Sequence, residues 1–317
     1  MKAAVVDRTG GIPVYRDVPD LEPGPDEILL RVEAVAVENV DRAIVAGTHY
    51  TSGPFQAHLP AIPCFDGIGR TPDGRLVGFG GLEPPHGALA EYVVVPSTHV
   101  APIPEGVDAA VAVTIATAIS AVSMQTAGEL AAGETVLVQG ATGVAGRLAV
   151  QVARLLGAGR VVATGRDAAA LASLRELGAD ELIDTTVSDD ELVASFREHG
   201  PFDVVVDYLW GRPTEVICRA LTPESFAMPA VTRIVQIGES AGESIDLPAR
   251  ALRTSGVEIY GAARNLMTKM AEAYGRVVEW VQSGQLHVDV MTMPLSQIAE
   301  AWQRTDLRGS RLVIVPD

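Results

Sequence analysis

Cysteine is nearly missing from this chain: Cys64 and Cys218 are the two in 317 residues. So far apart in sequence, they supply neither a disulfide framework nor a thiolate metal cluster, and a reducing, cytoplasmic home is expected. Basic residues are outnumbered as well, 24 Lys and Arg against 40 Asp and Glu, for a net charge of −16. That balance repels nucleic-acid backbones and anionic membrane surfaces, so neither is an expected partner. An anionic ligand would need a local site that overrides the global field. No transmembrane run of about 18 apolar residues is evident. The opening MKAAVVDRTGGIP reads as a strand and turn, without a signal peptide's apolar stretch or cleavage site. Repeats and low-complexity tracts are also lacking. What remains is an ordinary globular composition, 48% hydrophobic and 20% charged. Because one hydrophobic core rarely serves more than roughly 250–300 residues, two domains are expected.

Short β-like runs separated by turn residues fill the first third: Ala3–Val6, Ile28–Val37, Arg75–Phe79 and Tyr92–Val95. They predict a mostly antiparallel unit. The small-residue stretch Ala109–Ala127 reads as a buried helix leading to the next domain. From Glu134 the pattern alternates strand and helix: TVLVQ, AGRLAVQVARLLG, RVVAT, AAALASLRELG, ELID, then DVVVD, RIVQIG and VEIYG. Near-continuous apolar strands of this kind predict a doubly wound parallel sheet covered on both faces. The tail, with helical MAEAYGRVVEWVQSG and SQIAEAWQRTD and a closing RLVIVPD strand, returns to the texture of the first part. The expected division is therefore 1–118 with 265–317 as a β-rich unit, and 119–264 as an inserted nucleotide-binding unit.

The strongest local signal is Thr135–Gln139 followed by Gly140-Ala141-Thr142-Gly143-Val144-Ala145-Gly146 and a helical pattern through Leu156. Strand, glycine turn and helix in this order suit a dinucleotide. Glycines allow a tight turn and close backbone approach, while the N–H groups and dipole of the helix attract pyrophosphate. About twenty residues on, an NAD-selective site shows an acidic residue for the ribose hydroxyl; here stands Ala163-Thr164-Gly165-Arg166. A guanidinium pairs with a 2′-phosphate where a carboxylate would repel it, so NADPH (NADP+) is the expected cofactor. Tyr208, after DVVVD, and Ile237-Gly238, after the next strand, mark the carboxyl edge of the sheet, where ligands bind in open α/β folds. Asn265 and Tyr260 close the nucleotide unit.

With those residues in hand, the whole chain resembles the medium-chain dehydrogenase/reductase superfamily, in its quinone oxidoreductase-like branch. The resemblance rests on PDLEPGPDEILLRVEAVAVENVD, ALAEYVVVP, AAGETVLVQGATGVAG, RELGAD and RGSRLVIV. It implies a Rossmann-type domain inserted in a GroES-like catalytic domain. Zinc-dependent members carry a catalytic Cys after the early strand and a His before a Glu further on. The matching places here read Val37-Glu38-Asn39-Val40-Asp41 and Pro63-Cys64-Phe65-Asp66-Gly67, and the cysteine-rich structural lobe is absent. Two remote cysteines and scattered histidines offer no converging ligand set either, so no metal is expected.

Without a Lewis acid, hydride transfer to a conjugated carbonyl acceptor, a quinone or enone, is the expected chemistry, and simple alcohol oxidation is disfavoured. By resemblance the loop Ala46-Gly47-Thr48-His49-Tyr50 approaches the nicotinamide, making Tyr50 and His49 the candidate hydrogen-bond and proton donors. Read from the residues alone, that loop is equally well an ordinary polar surface segment. Glu38 stands where relatives commonly have Asn, and Ile183-Asp184-Thr185 where they often have a tyrosine near the 2′-phosphate. The remaining histidines read as structural or solvated. Relatives also imply a homodimer paired through the edge strand at Val257–Tyr260. Two other functions fit the same residues: a pathway-specific enoyl or ketone reductase, and a protein that binds NADPH without turnover.

Overall fold

A computed structural model describes residues 1–224, 230–307 and 309–317. They form two compact units, Met1–Ile115 with Val278–Asp317, and Ala116–Val277. The return to the first unit falls inside the long helix Leu266–Gln282.

The second unit is built on a six-stranded, wholly parallel sheet. Its spatial order is Glu181–Asp184, Arg160–Gly165, Thr135–Gln139, Val204–Asp207, Thr232–Gln236 and Val257–Gly261. Numbered along the unit this is 3-2-1-4-5-6, the doubly wound Rossmann-type arrangement. The order reverses between Thr135–Gln139 and Val204–Asp207, so the carboxyl ends of those two strands flank the natural ligand crevice. Val136, Leu137, Val138, Val204, Val205 and Val206 are all wholly buried, which explains why the strands read as unbroken apolar runs instead of alternating. The sixth strand, Val257–Gly261, stands at the sheet's edge.

In the first unit a mostly antiparallel seven-stranded sheet is organised around the long strand Glu27–Ala36. It pairs antiparallel with Tyr92–Pro96, with Gly67–Arg70 and with the C-terminal strand Arg311–Val315. The pair Val290–Pro294 and Arg311–Val315 is parallel. This places the end of the chain inside the sheet begun near its start. A core of Leu30, Val32, Phe79, Leu89, Val93 and Leu312 fills one face.

One expectation needs correcting. Ala109–Thr126 is in fact apolar and long enough to pass as a membrane span by composition, but two thirds of it is buried inside the protein. It is also not one helix: a turn at Val113–Thr114 separates Ala109–Ala112 from Ile115–Thr126. Small side chains let it pack as a core helix, with Ala118, Ala121 and Met124 fully covered. The AAALASLRELG helix is likewise shorter than its pattern, ending at Ser173.

Candidate functional site

At the carboxyl end of Thr135–Gln139 the glycine turn is shaped by close approaches that only glycine permits. Gly140 has φ +78°, and a Cβ there would lie 2.8 Å from Leu209 Cδ2. A Cβ on Gly146 would collide with the Gly140 carbonyl oxygen and lie 2.5 Å from Ala141 Cα. Two bonds tie the turn to the next strand: Gly140 N–H donates to Thr164 Oγ1 at 3.1 Å and Ala141 N–H to the Thr164 carbonyl at 3.0 Å. Thr142 packs beneath Gly165, where a Cβ would come within 2.5 Å of Thr142 Cγ2.

Gly143 differs. It is the N-cap of Val144–Leu155, with φ −76° and no side-chain cap, and a Cβ there would meet nothing nearer than 3.7 Å. The protein's own packing therefore does not demand glycine at 143, while a backbone-hugging ligand would. The N–H groups of Val144, Ala145 and Gly146, in the first helical turn, have no intrahelical acceptor. Gln139 adds a second sign: it is wholly buried beside the turn, and neither its amide nitrogen nor its amide oxygen has a hydrogen-bond partner among the described residues. A cradle that a Cβ would fill and an orphaned buried amide both fit a bound dinucleotide.

Arg166 directly follows the second strand, exposed, with no hydrogen bond or ion pair to any described residue. Its neighbour Asp167 is not available in the same way. That carboxylate is the N-cap of Ala168–Ser173 and accepts from Ala170 N–H at 2.8 Å. Thr185, in the segment where relatives often have a tyrosine, donates both its N–H and its hydroxyl to the Gly165 carbonyl. Just past Arg160–Gly165 an exposed guanidinium with no partner among the described residues thus stands beside an exposed carboxylate engaged in capping the next helix.

Across the switch point, Asp207 organises the opposite wall. Fully buried, it accepts from the N–H groups of Leu209 and Trp210 at 2.9 and 3.0 Å and from Thr214 Oγ1 at 2.5 Å. Burial raises its pKa, and these hydrogen bonds oppose the rise. Its carbonyl accepts from Ile237 and Gly238 N–H, and a Cβ on Gly238 would lie 2.6 Å from the Tyr208 carbonyl. Tyr208, Ile237 and Gly238 are therefore brought together at one strand edge, with the Tyr208 hydroxyl 3.4 Å from Ser120 Oγ. Asn265 adopts φ +59° and donates its amide to the Thr126 carbonyl at 3.2 Å, pinning the end of Ile115–Thr126.

In the first unit, His49 and Tyr50 lie at a turn before Ser52–Ala57. Their ring centroids are 4.2 Å apart, His49 Nδ1 is 2.8 Å from Thr51 Oγ1, and Tyr50 is 85% exposed. Thr51 also borders a cavity of about 380 Å³ whose other walls are Val40, Ile44, Pro54, Phe55, Phe65 and Pro84. Sequence reasoning did not single out this cavity. The spacing of Val40 and Ile44 on one helical face was a visible signal, but Phe55, Phe65 and Pro84 come from separate segments.

The places that match the zinc ligands of relatives do converge, but on different chemistry. Asp41, 5% exposed, accepts from Glu38 N–H at 2.7 Å; burial, aided by the Glu38 and Asp66 carboxyls, pushes its pKa up to about 8. Cys64, at φ +67° and buried, has its thiol pushed up by burial and by the nearby Asp41 and Asp66. Arg311 pairs with Glu38 at 2.9 Å. Among the described residues no three His, Cys, Asp or Glu side chains are placed to hold a metal ion. No chemical step is therefore routed through a metal ion.

Comparison with known proteins gives a consistent picture. A family model described as zinc-binding dehydrogenase matches residues 145–283, a span that contains neither 37–41 nor 63–67. A probable NADPH-dependent quinone reductase of Emericella nidulans is 28% identical, across 96% of this chain and 96% of its own length. A trans-enoyl reductase of Aspergillus terreus is 30% identical, across 69% of this chain and 63% of its own. Among solved structures, the quinone oxidoreductase from Thermus thermophilus, also determined in complex with NADPH, superposes with a TM-score of 0.80 at 27% identity, covering 99% of this chain and 100% of that one. In sheet order, glycine turn and relatives alike, the chain is similar over its length to the quinone oxidoreductase-like branch of the medium-chain dehydrogenase/reductase superfamily.

Proposed function

We propose that this protein is an NADPH-dependent oxidoreductase that reduces a conjugated carbonyl acceptor, a quinone or an enone, without zinc. The observation that carries the cofactor is Arg166, an exposed guanidinium just past the second strand, unpaired among the described residues and beside the glycine cradle. It would hold the 2′-phosphate. The N–H groups of Val144, Ala145 and Gly146, with Gly140, Ala141, Thr142 and Gly143, would receive the pyrophosphate; Thr164 and Gly165 shape the floor, and Tyr208, Ile237, Gly238 and Asn265 would form the wall. When bound, NADPH supplies the hydride. His49 and Tyr50 would donate hydrogen bonds to the acceptor oxygen, and the proton that completes reduction comes from one of them or from water. That no three His, Cys, Asp or Glu side chains are placed to hold a metal ion among the described residues supports an acceptor already electrophilic enough to need no metal.

The name of the Aspergillus terreus relative favours one variant of this reading, an enoyl reductase dedicated to one pathway, with the same cofactor site. A panel of quinones, enones, enals and saturated ketones, scored by loss of NADPH absorbance, tests the proposal. Consumption with conjugated acceptors and none with saturated ketones is expected. Turnover confined to enoyl thioesters would favour the pathway enzyme, and tight NADPH binding with no consumption across the panel would overturn the catalytic reading. We further propose a homodimer paired through the edge strand Val257–Gly261, since an unpaired edge invites a second copy; a monomer mass by light scattering contradicts it.

A further inference from the structure

We propose that a groove on the nucleotide-binding unit, walled by Arg197, Arg219 and Arg250, is a second anion site. Its ligand is a compact polyanion, a small molecule with two or more phosphoryl or carboxylate groups. The groove lies apart from the glycine turn, and the proposal does not depend on which acceptor the protein reduces.

Three helices contribute to the walls: Asp189–His199, Arg212–Leu221 and Ala249–Thr254. The second of them begins beside the nucleotide wall, where the Thr214 hydroxyl donates to Asp207. Arg219 and Thr222 stand at its other end, in the last turn and at the C-cap. The groove has a volume of about 470 Å³, within the roughly 300–1,000 Å³ range of small-molecule sites. No aromatic side chain lines it among the described residues, so nothing there would stack a nucleobase. Recognition falls to charge.

That charge runs against the charge of the chain. Among the described walls three guanidiniums meet two carboxylates, Asp190 and Glu224, whereas the whole chain has 24 bases to 40 acids. The two acids are also weakly held. Glu224 pairs with Arg197 at 3.0 Å and Asp190 with Arg219 at 2.8 Å, but their side chains are 84% and 91% exposed, and pairs so open to water contribute little. An incoming anion can displace them. The guanidiniums are better fixed: Arg197 Nε donates to the Ala220 carbonyl at 3.3 Å, and Arg219 also reaches Asp189, which Arg212 Nε holds at 2.7 Å.

Arg250 is the deciding residue. It is exposed, and its guanidinium has no hydrogen bond or ion pair to any described residue. Arg197 and Arg219 lie in the last turns of their helices, where the helix dipole favours a cation; Arg250 lies in the first turn of Ala249–Thr254, where the dipole opposes one. Helix preference therefore accounts for two of the three and not for the one without a partner. Like charges gathered on one groove repel, and a bound anion relieves that repulsion. Each planar fork pairs bidentately with phosphate or carboxylate oxygens, so a small molecule with two or more such groups can engage all three.

The test is calorimetric titration of the full-length protein, saturated with NADP+ so that the glycine turn is filled, with inorganic pyrophosphate in one arm and tricarballylate in the other. At least one should bind, and which one does tells phosphoryl from carboxylate recognition. Arg250→Ala, at an exposed position, should weaken binding by about tenfold or more and leave the Kd for NADPH unchanged. Glu224→Gln removes the carboxylate that competes for Arg197 and should tighten binding by about twofold or more. Lys269→Ala takes the same charge from the same unit outside the groove, and should leave binding within about twofold of the parent. No binding of either anion overturns the proposal, as does a folded Arg250→Ala protein that binds like the parent, or a loss in Lys269→Ala equal to that in Arg250→Ala. Binding that Arg166→Ala abolishes and Arg250→Ala spares would place the anion at the glycine turn and overturn it too.

Discussion

At the scale of the residue, the glycines of one turn do different work, and substitution separates them. Gly146→Ala would drive a Cβ into the Gly140 carbonyl, and should cost the fold about 2 kcal/mol or more as the turn and helix part. Gly143→Ala meets nothing closer than 3.7 Å, so its thermal midpoint should stay within about 2 °C of the parent while NADPH binding weakens at least tenfold. Thermal melts and fluorescence titration with NADPH check the pair, and a Gly143→Ala protein with full affinity would show that the ligand does not approach this backbone. Asp41 gives a pH prediction. It titrates near pH 8 when folded against about 4 when unfolded, so between those values the folded chain binds the extra proton. Its contribution to stability is complete below about pH 4 and is lost as the pH rises through 8. Asp41→Asn cannot ionise and should gain about 1 kcal/mol or more relative to the parent between pH 5 and pH 9 in urea unfolding; curves that stay parallel contradict the assignment.

At the scale of the element, the helix Ala168–Ser173 settles what Asp167 is for. Its carboxylate caps that helix, so Asp167→Ala should lower stability by about 1 kcal/mol without shifting preference toward NADH, as comparative Kd values for the two cofactors would show. How far the elements were legible followed from how local their causes are. TVLVQ, ELID and VEIYG match observed strands end for end: the first is a continuous apolar run inside the sheet, and the other two, its edge strands, are bounded by turn residues. The glycine turn was legible too, since strand, glycines and helix are adjacent in sequence. The break at Val113–Thr114 was not: a run of Ala, Val and Thr carries no internal stop, and only packing decides where such a helix yields to a turn. The cavity of the first unit was hidden for a related reason. Phe55 and Phe65 come from separate segments, and nothing in either segment announces the other.

At the scale of the whole molecule, a net charge of −16 sets the problem that the nucleotide site answers. A polyanionic cofactor must bind a polyanionic protein, and under the proposed site the first-turn N–H groups and the Arg166 guanidinium would supply the short-range donors. Saturating NADPH should stabilise the protein by about 2.7 kcal/mol at a hundred times Kd, visible as a raised thermal midpoint. The central claim is that this chain uses NADPH because Arg166 reads the 2′-phosphate. Its most direct test is the ratio of NADH to NADPH dissociation constants, measured by the same titration in the parent and in Arg166→Ala. The parent should favour NADPH at least tenfold, and the variant should bring the ratio close to one by weakening NADPH alone. A parent that binds both cofactors equally, or a variant that keeps the parent's ratio, would contradict it.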